Sequence, residues 1–267
     1  MLTREIATGH DFGHESAILG RRKFAHILPR TGSMAPEAKV FVMLHPFGGN
    51  RTSWMKHAPE LMATLSRDYV VVLPECGRNW FIDDHSGKNY ESYLIRELIP
   101  AVREKYGAAG PAAIGGFSMG GASAFFMALR HPDEFTLAFA VAGAFTAGNR
   151  QGDPYQALRS DELMIPSEAE HERVWGPIGG AVRAKYDPQD LVGRLKGRTQ
   201  IPRFYFEVGR GDYPRALAAS QRMSELLDAA GADFQFAYQD GGHNWNYAAA
   251  GMARLIAQSW ERSGRHG

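Results

Sequence analysis

A chain of 267 residues that is 44% hydrophobic and 22% charged holds enough apolar material for a sizeable core without help from metals or disulfides. Its formal net charge of +1 argues against nucleic acid or an acidic membrane as partner and leaves a small neutral molecule as the expected one. Cys76 is the only cysteine, which excludes an intramolecular disulfide and fits a reducing, cytoplasmic setting; no apolar signal core opens the chain and no run reaches the ~18 apolar residues of a membrane span.

From the N-terminal end, Glu15 to Leu19 and Arg22 to Leu28 flank Gly20-Arg21 and read as an antiparallel hairpin at a sheet edge. Six short apolar runs follow: Val40 to Leu44, Tyr69 to Leu73, Ala112 to Gly116, Leu137 to Val141, Phe204 to Val208 and Phe234 to Tyr238. Runs such as Tyr69-Val70-Val71-Val72-Leu73 are apolar at every position, the mark of strands buried on both faces of a parallel sheet. Helical periods fill most gaps, at about Trp54 to Leu65, Tyr90 to Tyr106, Gly120 to Arg130, Pro214 to Ala230 and Tyr247 to Ser263. Stops stand at Gly107, at His131-Pro132 and at Gly231.

Between about 143 and 200 the rhythm breaks into a stretch rich in Gly, Pro, Asp and Arg, after which strands resume; a lid-like excursion over one sheet edge is expected there. The expected whole is α/β, a single domain over 1–267. It is a three-layer α/β/α sandwich with a mostly parallel sheet and an N-terminal antiparallel hairpin. Association into homo-oligomers stays open.

Gly116-Phe117-Ser118-Met119-Gly120 spells G-x-S-x-G between the third apolar run and a helix. A serine on so tight a strand-to-helix turn needs neighbours without bulk two residues before and after it, which Gly116 and Gly120 supply. A serine hydroxyl is a weak nucleophile at neutral pH, so a base and an orienting acid are needed downstream. His243, in Gly241-Gly242-His243-Asn244 after the last strand, suits the base better than His10, His14 or His26, which precede the serine, or His131 at a helix end. Asp212, in Val208-Gly209-Arg210-Gly211-Asp212 after the penultimate strand, suits the acid better than Asp240, Asp187 or Asp190, although it could instead cap the helix opening at Pro214. For an oxyanion hole, Met119 at the helix start offers one N–H. The loop His45-Pro46-Phe47-Gly48-Gly49-Asn50 offers another at Phe47, with Gly48 second, because Pro46 has none.

Leu44-His45-Pro46-Phe47-Gly48-Gly49-Asn50 with Ser53-Trp54, Val72 to Phe81 around Cys76, the Ser118 pentapeptide with Gly121, Asp212 in its loop and Gly242-His243-Asn244-Trp245 occur in an order that resembles the putative-esterase (esterase D-like) family of α/β-hydrolases, nearest its tributyrin esterase branch. The resemblance implies the α/β-hydrolase fold, Ser118 as nucleophile, Asp212 as acid, His243 as base, and Phe47 with Met119 as oxyanion donors. Pro46 departs from the glycine usual in relatives. Members of that family include carboxylesterases, S-formylglutathione hydrolases, feruloyl and acetyl-sugar esterases, and mycolyltransferases. The expectation is therefore a serine carboxylesterase for short-chain acyl esters that uses no metal or cofactor, with Gly48, Trp54, Arg78, Trp80 and Trp245 around the substrate. An acyltransferase with the same acyl-enzyme, or a binding protein on a hydrolase scaffold, is the alternative. Cys76 reads as a small buried filler rather than a thiol nucleophile.

Overall fold

Alternation along the strands decides the layering. In β3 (Lys39–Leu44), Val40, Val42 and Leu44 enter one apolar cluster while Phe41 and Met43 enter another on the opposite face. The computed structural model describes residues 8–32, 38–150 and 166–264, and in it every strand from β3 to β7 feeds both clusters in this way. The strands are β1 (His10–Ser16), β2 (Arg21–Leu28), β3, β4 (Tyr69–Leu73), β5 (Ala112–Phe117), β6 (Phe135–Val141), β7 (Arg203–Gly209) and β8 (Phe234–Gln239). They form one sheet in the order β1-β2-β4-β3-β5-β6-β7-β8, antiparallel up to the β2–β4 pair and parallel from there on.

Helices α3 (Tyr90–Tyr93), α4 (Ile99–Tyr106), α5 (Met119–Arg130) and α9 (Pro214–Ala229) pack on the first face, and α1 (Ser53–His57), α2 (Pro59–Leu65) and α10 (Trp245–Arg262) on the second. This is the expected α/β/α sandwich. α5 lies at its centre, buried from Met119 to Leu129. Among the described residues no helix is long and apolar enough to cross a membrane.

Three boundaries differ from the sequence reading. The hairpin turns at Ala17–Gly20, with Ser16 opposite Arg21 and Gly20 at φ +63°, so Ile18 and Leu19 leave the first strand. Their turn is held from a distance: the Glu97 carboxylate accepts Ser16 Oγ–H at 2.5 Å and the Ile18 N–H at 3.1 Å. The expected helix from Trp54 to Leu65 divides at Ala58, whose φ of −144° leaves the helical region, as Pro59 requires of the residue before it. The stretch from Tyr90 to Tyr106 is helical throughout but passes through a π turn at Leu94–Leu98, just ahead of Pro100, which has no N–H to give the ladder.

The excursion contains α6 (Glu168–Trp175), α7 (Ala181–Lys185) and α8 (Pro188–Gly193); its middle, 151–165, lies outside the described residues. Its anchor is Tyr186, whose hydroxyl donates to Glu91 Oε2 at 2.6 Å and accepts the Asp83 N–H at 2.8 Å. Burial pushes Glu91 up, but His131, Arg130 and Tyr186 around its carboxylate outweigh that and hold it down to about 2.

Candidate active site

β5 runs into α5 with one residue between them, Ser118, at φ +55° and ψ −115°. A non-glycine residue held there costs of order 1–3 kcal/mol, which surrounding contacts must offset. They include Ser118 N–H to Val141 O at 2.9 Å, and the Ser118 carbonyl accepting from Ala122 and Ala144. The flanking glycines are required by contact: a Cβ on Gly116 would strike the Gly120 carbonyl carbon, and one on Gly120 would lie 2.5 Å from Leu44 O. Gly116→Ala is therefore expected to lower unfolding free energy by about 3 kcal/mol, at the upper end of overpacking costs. Chemical denaturation measures this, and an unchanged midpoint would refute the tight elbow.

Asp212 and His243 reach the serine from the tips of β7 and β8. Their loops are tied backbone to backbone, Arg210 N–H to Gln239 O at 2.7 Å and Gly211 N–H to Gly241 O at 2.9 Å, and Gly209 has no room for a Cβ beneath Gly241 O. Asp212 Oδ1 and Oδ2 lie 2.9 and 3.0 Å from His243 Nδ1, and His243 Nε2 lies 2.9 Å from Ser118 Oγ. An ionised carboxylate can only accept, so Nδ1 carries the proton and Nε2 is free to accept the serine O–H. Asp212 has a side chain with no exposure and takes a further N–H from Tyr213 at 2.6 Å. It does not cap α9, which has no side-chain cap. Of the competitors, Asp187 caps α8 and Asp240 is exposed.

Phe117 and Tyr213 hold the His243 ring between them, at centroid separations of 4.8 and 5.2 Å. Ser118 and His243 open onto a mostly apolar cleft of about 260 Å³, walled by Phe47, Trp80, Phe117, Met119, Tyr213 and Trp245 among others, with Asp212 buried behind them. Sequence reasoning missed Phe117 and Tyr213; each adjoins a candidate residue in sequence, the only signal available. Arg150 and Pro166 also border the cleft, next to the undescribed 151–165.

In the loop after β3, Gly49 N–H donates to Pro46 O at 3.0 Å and Gly48 sits at φ +74°, the pattern of a type II turn. Gly48 N–H is committed to Gly77 O at 3.1 Å, which removes Gly48 as a second oxyanion donor. The Phe47 N–H has no partner among the described residues. His45, 1% exposed, donates Nδ1–H to Pro46 O at 2.7 Å and accepts the Cys76 N–H at Nε2 at 3.1 Å. Burial pushes it down to about 4, so it is neutral at ordinary pH.

Two more expected substrate residues are placed elsewhere. Trp54 is buried under Trp245, edge to face at 5.1 Å, with Nε1–H donating to Leu44 O at 2.9 Å. Arg78 is committed to Glu170 through Nε at 2.6 Å and Nη2 at 2.7 Å and lies over the Phe47 ring. Its guanidinium holds Glu170 down to about 2. Cys76 is fully buried with Sγ–H directed at Asn79 O, and burial pushes its thiol up, against any nucleophilic role. Among the described residues no three His, Cys, Asp or Glu side chains stand close enough to hold a metal ion.

Fold and site together define a serine hydrolase of the α/β-hydrolase fold, acting on carboxylic esters. The chain belongs to the family described as "Putative esterase", whose sequence model matches residues 17–258. It is 25% identical over 234 residues to an acetyl esterase of Caldicellulosiruptor saccharolyticus, covering 84% of this chain and 82% of that protein. It is 28% identical over 227 residues to the diacylglycerol acyltransferase/mycolyltransferase Ag85B of Mycobacterium avium, covering 78% of this chain and 65% of that one. In fold it is similar to the fluorophosphonate-binding serine hydrolase FphF of Staphylococcus aureus, at TM-score 0.78 and 18% identity over 95% of this chain and 97% of that chain. The S-formylglutathione hydrolase FrmB of the same organism gives TM-score 0.75 at 18% identity, over 95% and 98% of the two chains.

Proposed function

We propose that this chain hydrolyses esters of short acyl groups, acetyl to butyryl, through an acyl-enzyme on Ser118. One observation carries the reading: Ser118 Oγ lies 2.9 Å from His243 Nε2 at the wall of the cleft. Ser118 Oγ bonds to the acyl carbon as Nε2 takes its proton, and the imidazolium that forms faces the Asp212 carboxylate. The oxygen that becomes negative accepts the N–H groups of Phe47 and Met119. When the tetrahedral species collapses, the C–O bond to the alcohol breaks and Nε2 returns the proton to the leaving oxygen. Water, activated by the same nitrogen, then repeats the sequence and frees the acid.

The acetyl esterase relative supports a short acyl group, for which the cleft of about 260 Å³ has room. The partner is then a small-molecule ester; a cytoplasmic setting is supported by the single cysteine. The Ag85-type relatives favour a second reading, in which an alcohol rather than water takes the acyl group. A screen of p-nitrophenyl esters from acetyl to octanoyl, with S-formylglutathione, acetylated sugars and added alcohol acceptors, tests both. Expected are a maximum of kcat/KM between acetyl and butyryl, a drop of at least about tenfold by octanoyl, the worth of one or two misplaced methylenes, and free acid as main product. Rates that climb to octanoyl would remove the short-acyl reading, and transfer products dominating at modest acceptor concentration would favour the second.

A further inference from the structure

We propose that His45 is the positioning residue of the oxyanion hole: by holding the Pro46 carbonyl it turns the Pro46–Phe47 peptide so that the Phe47 N–H faces the reacting carbonyl oxygen. This rests on the ester-hydrolysis reading above and extends it to a side chain outside the triad.

The peptide geometry makes the step. No cis peptide occurs among the described residues, and in a trans peptide the C=O and the N–H point to opposite sides. The Pro46 carbonyl is drawn inward by two donors, His45 Nδ1–H at 2.7 Å and Gly49 N–H at 3.0 Å. The Phe47 N–H on the same peptide must then point outward, and Phe47 lines the cleft together with Ser118 and Met119. Nothing else in the turn can take its place, since Pro46 has no N–H and those of Gly48 and Gly49 are committed.

The imidazole itself is fixed from both sides. Its Nε2 accepts the Cys76 N–H at 3.1 Å from the loop after β4, which forces the proton onto Nδ1, where the Pro46 carbonyl needs it. Phe81 packs edge-on at 4.9 Å, and Gly49 leaves no room for a Cβ to spare, at 3.0 Å from the imidazole. A buried, neutral, doubly bonded histidine is a costly way merely to fill space. Its two bonds instead join the loops after β3 and β4 and set one peptide plane.

Two substitutions separate the bonds. In His45→Asn the amide nitrogen stands near Nδ1 and can hold Pro46, while in His45→Gln the amide oxygen stands near Nε2 and can accept only Cys76. A third, Phe47→Pro, deletes the N–H at a turn position that favours proline. kcat and KM for p-nitrophenyl acetate, Kd for butylboronic acid, and Tm are measured for each, with Ser118→Ala as the inactive reference. Expected is a fall in kcat of about 10²-fold in His45→Gln and Phe47→Pro, the loss typical of one oxyanion donor, with KM within about threefold in His45→Gln, which leaves the Phe47 ring in the cleft wall. His45→Asn should recover at least about tenfold relative to His45→Gln, within that same range. Adding His45→Gln to Phe47→Pro should cost no further activity, because the hook has nothing left to aim.

Equal losses in the Asn and Gln variants, additive losses in the double variant, or losses that follow Tm while kcat per folded molecule holds would overturn the proposal. Wild-type protein that hydrolyses none of the esters would sink the ester reading instead. Boronate affinity still tests His45 in that case, expected to weaken in His45→Gln and Phe47→Pro but less in His45→Asn.

Discussion

Ser118→Ala is expected to lower kcat for p-nitrophenyl acetate by about 10⁴- to 10⁶-fold, on the scale seen when a triad nucleophile is removed. That corresponds to about 5 to 8 kcal/mol of transition-state stabilisation. In the proposed mechanism alanine removes the atom that bonds to the acyl carbon, which leaves groups that bind and polarise the ester without a covalent route. Stability should change little. Alanine keeps the Cβ, so the φ of +55° at the elbow stays equally strained, and the backbone bonds to Val141, Ala122 and Ala144 do not involve the side chain. Steady-state kinetics beside a thermal melt separate the two effects. Hydrolysis undiminished in a folded variant would show that another group attacks the ester.

Asp212→Asn should cost about 10⁴-fold in kcat with KM nearly unchanged, for a reason particular to the hydrogen bonds. The amide oxygen of the variant can still accept the Tyr213 N–H, now 2.6 Å from Asp212 Oδ1, so that oxygen is retained in its place. The amide nitrogen then takes the place of Oδ2, 3.0 Å from His243 Nδ1, and with Oδ1 engaged by the Tyr213 N–H this donor favours the tautomer in which the ring nitrogen accepts. The proton moves to Nε2, 2.9 Å from Ser118 Oγ, where an acceptor is required. The base is present and correctly placed, but in the wrong tautomer. A kcat within tenfold of wild type would mean that Asp212 is not what orients His243.

The strands were legible because burial on both faces leaves a purely local trace, a run such as Tyr69-Val70-Val71-Val72-Leu73 without a polar residue. The elbow was legible because its glycines stand at fixed places in a five-residue span, although only Gly116 answers a contact within that span and Gly120 answers Leu44 O from β3. Asp212 and His243 were readable as strand-tip residues, although nothing in the sequence foretells that Gly211 and Gly241 tie their loops together.

Several expectations failed because the deciding partner lies outside the local window of sequence. The hairpin turn slipped by several residues because Glu97, 81 positions from Ser16, satisfies its polar groups. Arg78 looked like a substrate ligand until Glu170 took its guanidinium, and Trp54 looked like a cleft wall until Leu44 O took its indole N–H. Gly48 lost its N–H to Gly77, and His45 stood in the sequence only as the first residue of a glycine-rich loop.

The proposed mechanism requires one hydroxyl to be activated by one imidazole, and covalent labelling reads this most directly. The folded protein is treated with an alkyl fluorophosphonate, digested, and its peptides weighed by mass spectrometry. A single phosphonyl adduct on the peptide carrying Ser118, lost in His243→Ala, is the predicted result; an adduct on a different residue, or labelling of Ser118 that persists at full rate without His243, would contradict it.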